Sequence, residues 1–100
     1  MSKIDLIKEE LMRVCEELKL KPEPELDVLG KNMLERTHDI FGKEYPLLAW
    51  SERDPDGALA VIIELRKKSW FGSISCFQSG FRIKDGASTN LGEVELWEYD

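Results

Sequence analysis

The run from Ala58 to Arg66, entered through Asp54-Pro55-Asp56-Gly57, constrains the fold of this chain more than any other segment. Proline presets the first corner of a turn and glycine supplies a left-handed residue, so the chain must double back there. The run that follows has strand periodicity. Leu59, Val61, Ile63 and Leu65 fall on one face, and Ala60, Ile62, Glu64 and Arg66 on the other. A strand this apolar needs a neighbour on each side and a cover on at least one face. The chain is therefore expected to build an antiparallel sheet around this segment.

The remaining elements are read outward from it. Ser2-Lys3-Ile4-Asp5 has the form of a helix-capping box, with Ser2 at the cap. Ile4, Ile7, Leu11, Val14, Cys15 and Leu18 then recur at helical spacing opposite Lys8, Glu9, Arg13, Glu16 and Lys19. This predicts an amphipathic helix over residues 2–20, ended by Pro22 and Pro24. A second helix is expected from Pro24 or Glu25 to Phe41, on the stripe Leu26, Leu29, Met33, Thr37 and Ile40, with Gly42 as its left-handed cap. Gly30 inside it either permits close packing or divides it. Strands are expected at Tyr45–Ser51, Ala58–Arg66, Trp70–Gln78 and Phe81–Ile83, with a turn at Ser79-Gly80, a loop from Asp85 to Gly92, and a last strand over Glu93–Tyr99. The reading is α+β: two N-terminal helices packed on one face of a four- to five-stranded antiparallel meander, forming a single globular domain over residues 1–100. Leu59, Val61, Ile63, Ile74, Val94 and Leu96 are its expected core.

Composition narrows the class. A hydrophobic fraction of 42% beside 34% charged residues suits a water-exposed globular chain. It contains no apolar run long enough for a membrane span, and the N-terminus lacks a signal-peptide pattern. Cys15 and Cys76 are too few for a disulfide framework and read as buried thiols of a cytoplasmic protein.

The sequence carries no catalytic or metal signature. His38 is the only histidine; Glu35 and His38 would share a helical face, but a carboxylate-bridged metal site needs two such pairs and further glutamates. Asp54 and Asp56 with Gly57 fail the calcium-loop pattern, because Ile63 falls where the bidentate glutamate belongs. Gly86 to Gly92 has the wrong spacing for a phosphate loop. No serine lies in a nucleophile elbow, and Cys76 would meet His38 only through the fold. No catalytic residue, metal ligand or cofactor is assigned.

Surface chemistry is the remaining guide. From Arg66 through Lys84 there are five basic residues and no acidic one, in a chain of net charge -6. Ile62, Phe71, Phe77, Trp97 and Tyr99 are expected on the sheet face away from the helices, where they make either a second small core or an interface. Phe71, Phe77, Trp97 and Tyr99 with acidic Glu93, Glu95 and Glu98 suit a protein partner, because interfaces concentrate aromatic side chains. The expectation is a small non-enzymatic module that binds another protein, of the inhibitor or immunity type, occluding a basic toxin or nuclease. A chaperone or adaptor role is an alternative, and a sheet edge also permits a homodimer. A single-stranded RNA or DNA binder would instead use Arg66, Lys67, Lys68, Trp70, Phe71, Arg82 and Lys84. The acidic total disfavours that reading.

Overall fold

A computed structural model of the chain describes residues 3–40, 42–68 and 74–91. Helix α1 (Lys3–Lys19) and the short helix α2 (Glu23–Asp27) lie on one face of a five-stranded antiparallel meander. Its strands are β1 (Leu34–Ile40), β2 (Lys43–Arg53), β3 (Leu59–Lys68), β4 (Ile74–Lys84) and β5 (Ala87–Asn90), ordered in space as in sequence. The α+β expectation is met.

The core forms where the α1 stripe meets the sheet. Ile7, Leu11, Val14, Cys15 and Leu18 pack with Leu26 of α2 and with Tyr45, Leu47, Ala49, Leu59, Val61, Ile63, Leu65 and Phe81. Leu59, Val61 and Ile63 are fully buried, as their alternation requires. The helices are also pinned electrostatically. Glu10 accepts from His38 Nδ1 at 2.7 Å, Glu17 from Arg36 at 2.8 Å and Glu23 from Arg53 at 3.0 Å. Such part-exposed pairs contribute little energy each but fix which edge of the sheet each helix faces.

Three elements differ from expectation. The second helix stops at Asp27, continues as one 3-10 turn over Val28–Gly30, and gives way to β1. In β1 the half-buried side chains are Leu34, Arg36 and His38, with Ile40 buried, while Glu35, Thr37 and Asp39 are exposed. The helical stripe was misleading because two inward positions are polar, and only the carboxylates of α1 satisfy them. Glu35 and His38 therefore lie on opposite faces of a strand. Gly42 is left-handed (φ +73°), but in the turn between β1 and β2, where its N–H donates to Asp39 Oδ1 at 2.9 Å.

Next, β4 runs unbroken through Ser79 and Gly80 to Lys84. Continuity gives Phe77 the same facing as Phe81 and Ile83, so it packs against the helix-side core rather than on the outer face. Cys76, expected buried, is exposed on the outer face. Neither cysteine forms a disulfide.

Finally, the expected loop after Asp85 is a hairpin. Asp85 (φ 53°) and Gly86 (φ 79°) join Lys84 to its partner Ala87. Aspartate followed by glycine is the dipeptide that a two-residue turn with both φ positive selects. The 54–57 turn is as read: Asp54 N–H donates to Ala58 C=O at 2.8 Å and Gly57 has φ 89°. The Ser2 cap, the 93–99 strand with Val94 and Leu96, and the Ile74 side chain lie outside what is described.

Candidate functional site: the outer face of the sheet

With both helices on one face, the other is built from alternate residues of each strand. Along β1 and β2 these are Glu35, Thr37, Asp39 and then Glu44, Pro46, Leu48, Trp50, Glu52. Across β3 and β4 they are Ala60, Ile62, Glu64, Arg66 and Cys76, Gln78, Gly80, Arg82. Ile62 is fully buried here. It forms a second small cluster with Ala60, under Trp50 and Leu91, and Leu91 is held by its N–H donating to Gly80 C=O at 3.0 Å. Of the two sequence readings for Ile62, the second core is the one realised.

Charge is segregated on this face. Glu35, Asp39, Glu44 and Glu52 are exposed, and among the described residues none is in an ion pair. Asp39 and Glu44 stand directly opposite in the ladder. Like charges so placed destabilise a sheet, so stability here is spent on surface charge. Among the described outer-face residues of these two strands there is no basic side chain to offset them.

The basic residues singled out from sequence have a different setting. Arg66 Nε donates to Glu64 at 2.8 Å, Arg82 bridges Asp54 at 3.1 Å and Asp56 at 2.9 Å, and Lys84 meets Asp56 at 3.3 Å. Asp56 is held below the usual carboxylate range, first by the Ala58 N–H and then by Lys84 and Arg82. Arg66 and Arg82 share a face but stand opposite Cys76 and Ala60, six residues apart along β3. At the strand rise that is about 20 Å. The structure does not gather them into one patch. Lys67 and Lys68 belong to the end of β3, and Trp70, Phe71, Glu93, Glu95, Trp97, Glu98 and Tyr99 lie outside the described residues.

Next to Trp50 the face dips into a groove of about 470 Å³ between the 3-10 turn and β2–β3. Leu29, Met33, Leu48 and Trp50 supply apolar wall, while Glu64 and Arg66 supply polar lining. Gly30 allows the turn to approach this closely, since a Cβ on it would sit 3.1 Å from the Ser51 carbonyl oxygen. Among the described residues there is no group of three or more histidine, cysteine or acidic side chains able to hold a metal. Cys76 and His38 are on opposite faces and three strands apart, so they form no nucleophile–base pair. No described helix is long and apolar enough to cross a membrane.

Glu35 and Asp39 are absent from the sequence candidates because segment 24–41 reads as a helix; Glu44, Leu48, Trp50 and Glu52 lie in or beside the expected 45–51 strand and are brought level with them only by its pairing with β1. The period-two spacing of Glu35, Thr37 and Asp39, mirrored beyond Gly42 by Glu44, Pro46, Leu48, Trp50 and Glu52, was the available signal. No family model, curated protein or solved structure matches this chain.

Proposed function

We propose that this protein is a non-enzymatic protein-binding module of the inhibitor or immunity type, which occludes a basic partner with the outer face of its β1–β2 hairpin. The observation that carries the reading is the set of four exposed acidic side chains, Glu35, Asp39, Glu44 and Glu52, in no ion pair among the described residues and flanking Leu48 and Trp50. Uncompensated charge of one sign steers an oppositely charged partner, and an aromatic residue within it gives a contact that excludes water. Occlusion follows simply: carboxylates on the hairpin satisfy cationic groups on the partner, and Trp50 with Leu48 covers the surface between them. The nucleic-acid alternative draws no support from Arg82 and Lys84, whose charges are engaged by acids of the same chain, or from Arg66, which stands about 20 Å from Arg82 along the strand.

The test is affinity capture from source lysate treated with nuclease, comparing the wild type with Glu35→Gln/Asp39→Asn/Glu44→Gln and with Trp50→Ala. The wild type should retain a basic protein that elutes with salt, and both variants should lose it while staying folded. Equal retention by the triple variant, or retention of nucleic acid alone in untreated lysate, would refute the reading.

A further inference from the structure

The groove beside Trp50 raises a question of hydrogen-bond accounting that the protein-binding reading does not address. Glu64 is the one acidic residue with a buried place in the central strand, its side chain only 9% exposed. A buried carboxylate is costly unless both oxygens are engaged. Here they are: Oε2 accepts from Arg66 Nε at 2.8 Å, and Oε1 accepts from Gln78 Nε2 at 3.3 Å. Each oxygen of Glu64 is thus engaged by a side chain of the same sheet face. Glu64 acts on Arg66, gripping the guanidinium from its Nε side.

That grip leaves the other end of the guanidinium available. Among the described residues nothing bonds Nη1 or Nη2 of Arg66, and its side chain is 48% exposed. Those two nitrogens form a planar fork matched to the two oxygens of a carboxylate. A fork already oriented by a buried partner loses less freedom on binding than a free arginine would. Lys31, on the same groove, is a second cation with no ion pair among the described residues. The wall facing these donors is Leu29, Met33, Leu48 and Trp50, and Met33 is 47% exposed. A volume of about 470 Å³ lies within the range of small-molecule sites.

We infer that this groove is a binding site for a small apolar carboxylate, with the carboxylate on the Arg66 fork and Lys31 and the apolar body against Trp50, Leu48 and Met33. Glu64 is a positioning residue in this arrangement. Glu52, on the opposite rim, sets the orientation by repelling the acid end. The groove shares Leu48, Trp50 and Glu52 with the β1–β2 acidic surface, but its acid-recognising groups, Arg66 and Lys31, lie outside that surface, so the carboxylate titration tests it separately from the partner reading.

The experiment titrates the full chain with straight-chain carboxylates from butyrate to octanoate, 3-phenylpropionate and indole-3-propionate, each beside its neutral primary amide. Chemical shifts of the Trp50 indole N–H and the Arg66 Nε–H report on the groove. At least one acid should saturate both signals, with its amide about tenfold or more weaker, as expected for a charged hydrogen-bonded pair. Arg66→Gln should abolish the preference for acid over amide. Because that change leaves Glu64 buried without its cation, Glu64→Gln/Arg66→Gln is measured as well, and it should show the same loss with the fold intact. The inference is overturned if no acid in the series saturates at millimolar concentration, if acid and amide bind alike, or if the double variant keeps the preference.

Discussion

Ile62 and Ile63 are sequence neighbours on β3, both fully buried, and they point to opposite faces of the sheet. Substituting each with alanine tests directly whether the outer face carries a core of its own. The change removes three carbons, worth about 2.4 kcal/mol in transfer free energy at about 0.8 kcal/mol per buried methylene. A residual cavity adds to this according to how far the surroundings collapse. Ile63 sits in the large cluster between helix and sheet, hemmed by α1, so it should lie near the upper part of the range, about 3–4 kcal/mol. Ile62 has Ala60, Trp50 and Leu91 around it, and a half-buried indole can settle into the space; about 2–3 kcal/mol is expected. Urea titration followed by far-UV circular dichroism and tryptophan fluorescence would measure both, the midpoint falling at unchanged slope. Ile62→Val and Ile63→Val, at about 0.5–1.5 kcal/mol each, keep the comparison measurable if either alanine variant unfolds. An Ile62→Ala variant within about 0.5 kcal/mol of the wild type would mean that the outer cluster contributes no burial, and the second-core reasoning would be refuted.

The Glu10 carboxyl is held below its ordinary value of 4.5 first by its hydrogen bond from Arg13 and then by His38, against the opposing effect of burial. A depressed folded-state value means that the stabilisation is present above 4.5 and is lost as pH falls through the folded value; Glu10→Gln should be less stable than wild type at neutral pH, with the gap closing below pH 4.5 in denaturation series, and a pH-independent gap would contradict it. Native thiol titration should give one rapid equivalent from exposed Cys76 and one from Cys15 only on unfolding, since Cys15 is 4% exposed and burial pushes its thiol up; two rapid equivalents would show α1 to be loosely docked. Gly30→Ala should be destabilised by about 1 kcal/mol or more and should shift the Trp50 indole resonance, because the new methyl meets a backbone carbonyl that cannot move cheaply. Gly86→Ala should cost about 1–2 kcal/mol from its left-handed backbone alone, without disturbing Trp50.

Local pattern was enough wherever an element's own residues satisfied it. The α1 stripe, the 54–57 turn and the alternation of Leu59, Val61 and Ile63 each combine a chain-local geometry with a matching set of apolar or turn-forming side chains, and they stand as read. Two errors of detail were also legible. Asp85-Gly86 is a hairpin dipeptide, and Phe77, Phe81 and Ile83 share one parity once Gly80 is allowed inside a strand.

What the tertiary structure alone decided was the state of residues 31–41 and, through it, the site. Leu34, Arg36, His38 and Ile40 make a poor inner face by composition, and the helical stripe Leu26, Leu29, Met33 and Ile40 was the better local pattern. Pairing with β2 supplies the backbone hydrogen bonds of a strand, and Glu10 and Glu17 of α1 supply partners for His38 and Arg36. Those partners are some 20 to 30 positions away in the chain, so no window on the sequence could register them. Charge shows the same division. The alkaline run from Arg66 to Lys84 was visible as composition, but its neutralisation by Glu64, Asp54 and Asp56 depends on strand register, as does the alignment of Glu35, Asp39, Glu44 and Glu52 on one face. Sequence alone determined the elements whose own residues complete them and the sign of the net charge; which charges remain available to a partner is a property of the packed sheet, because only folding brings opposite charges within reach of one another.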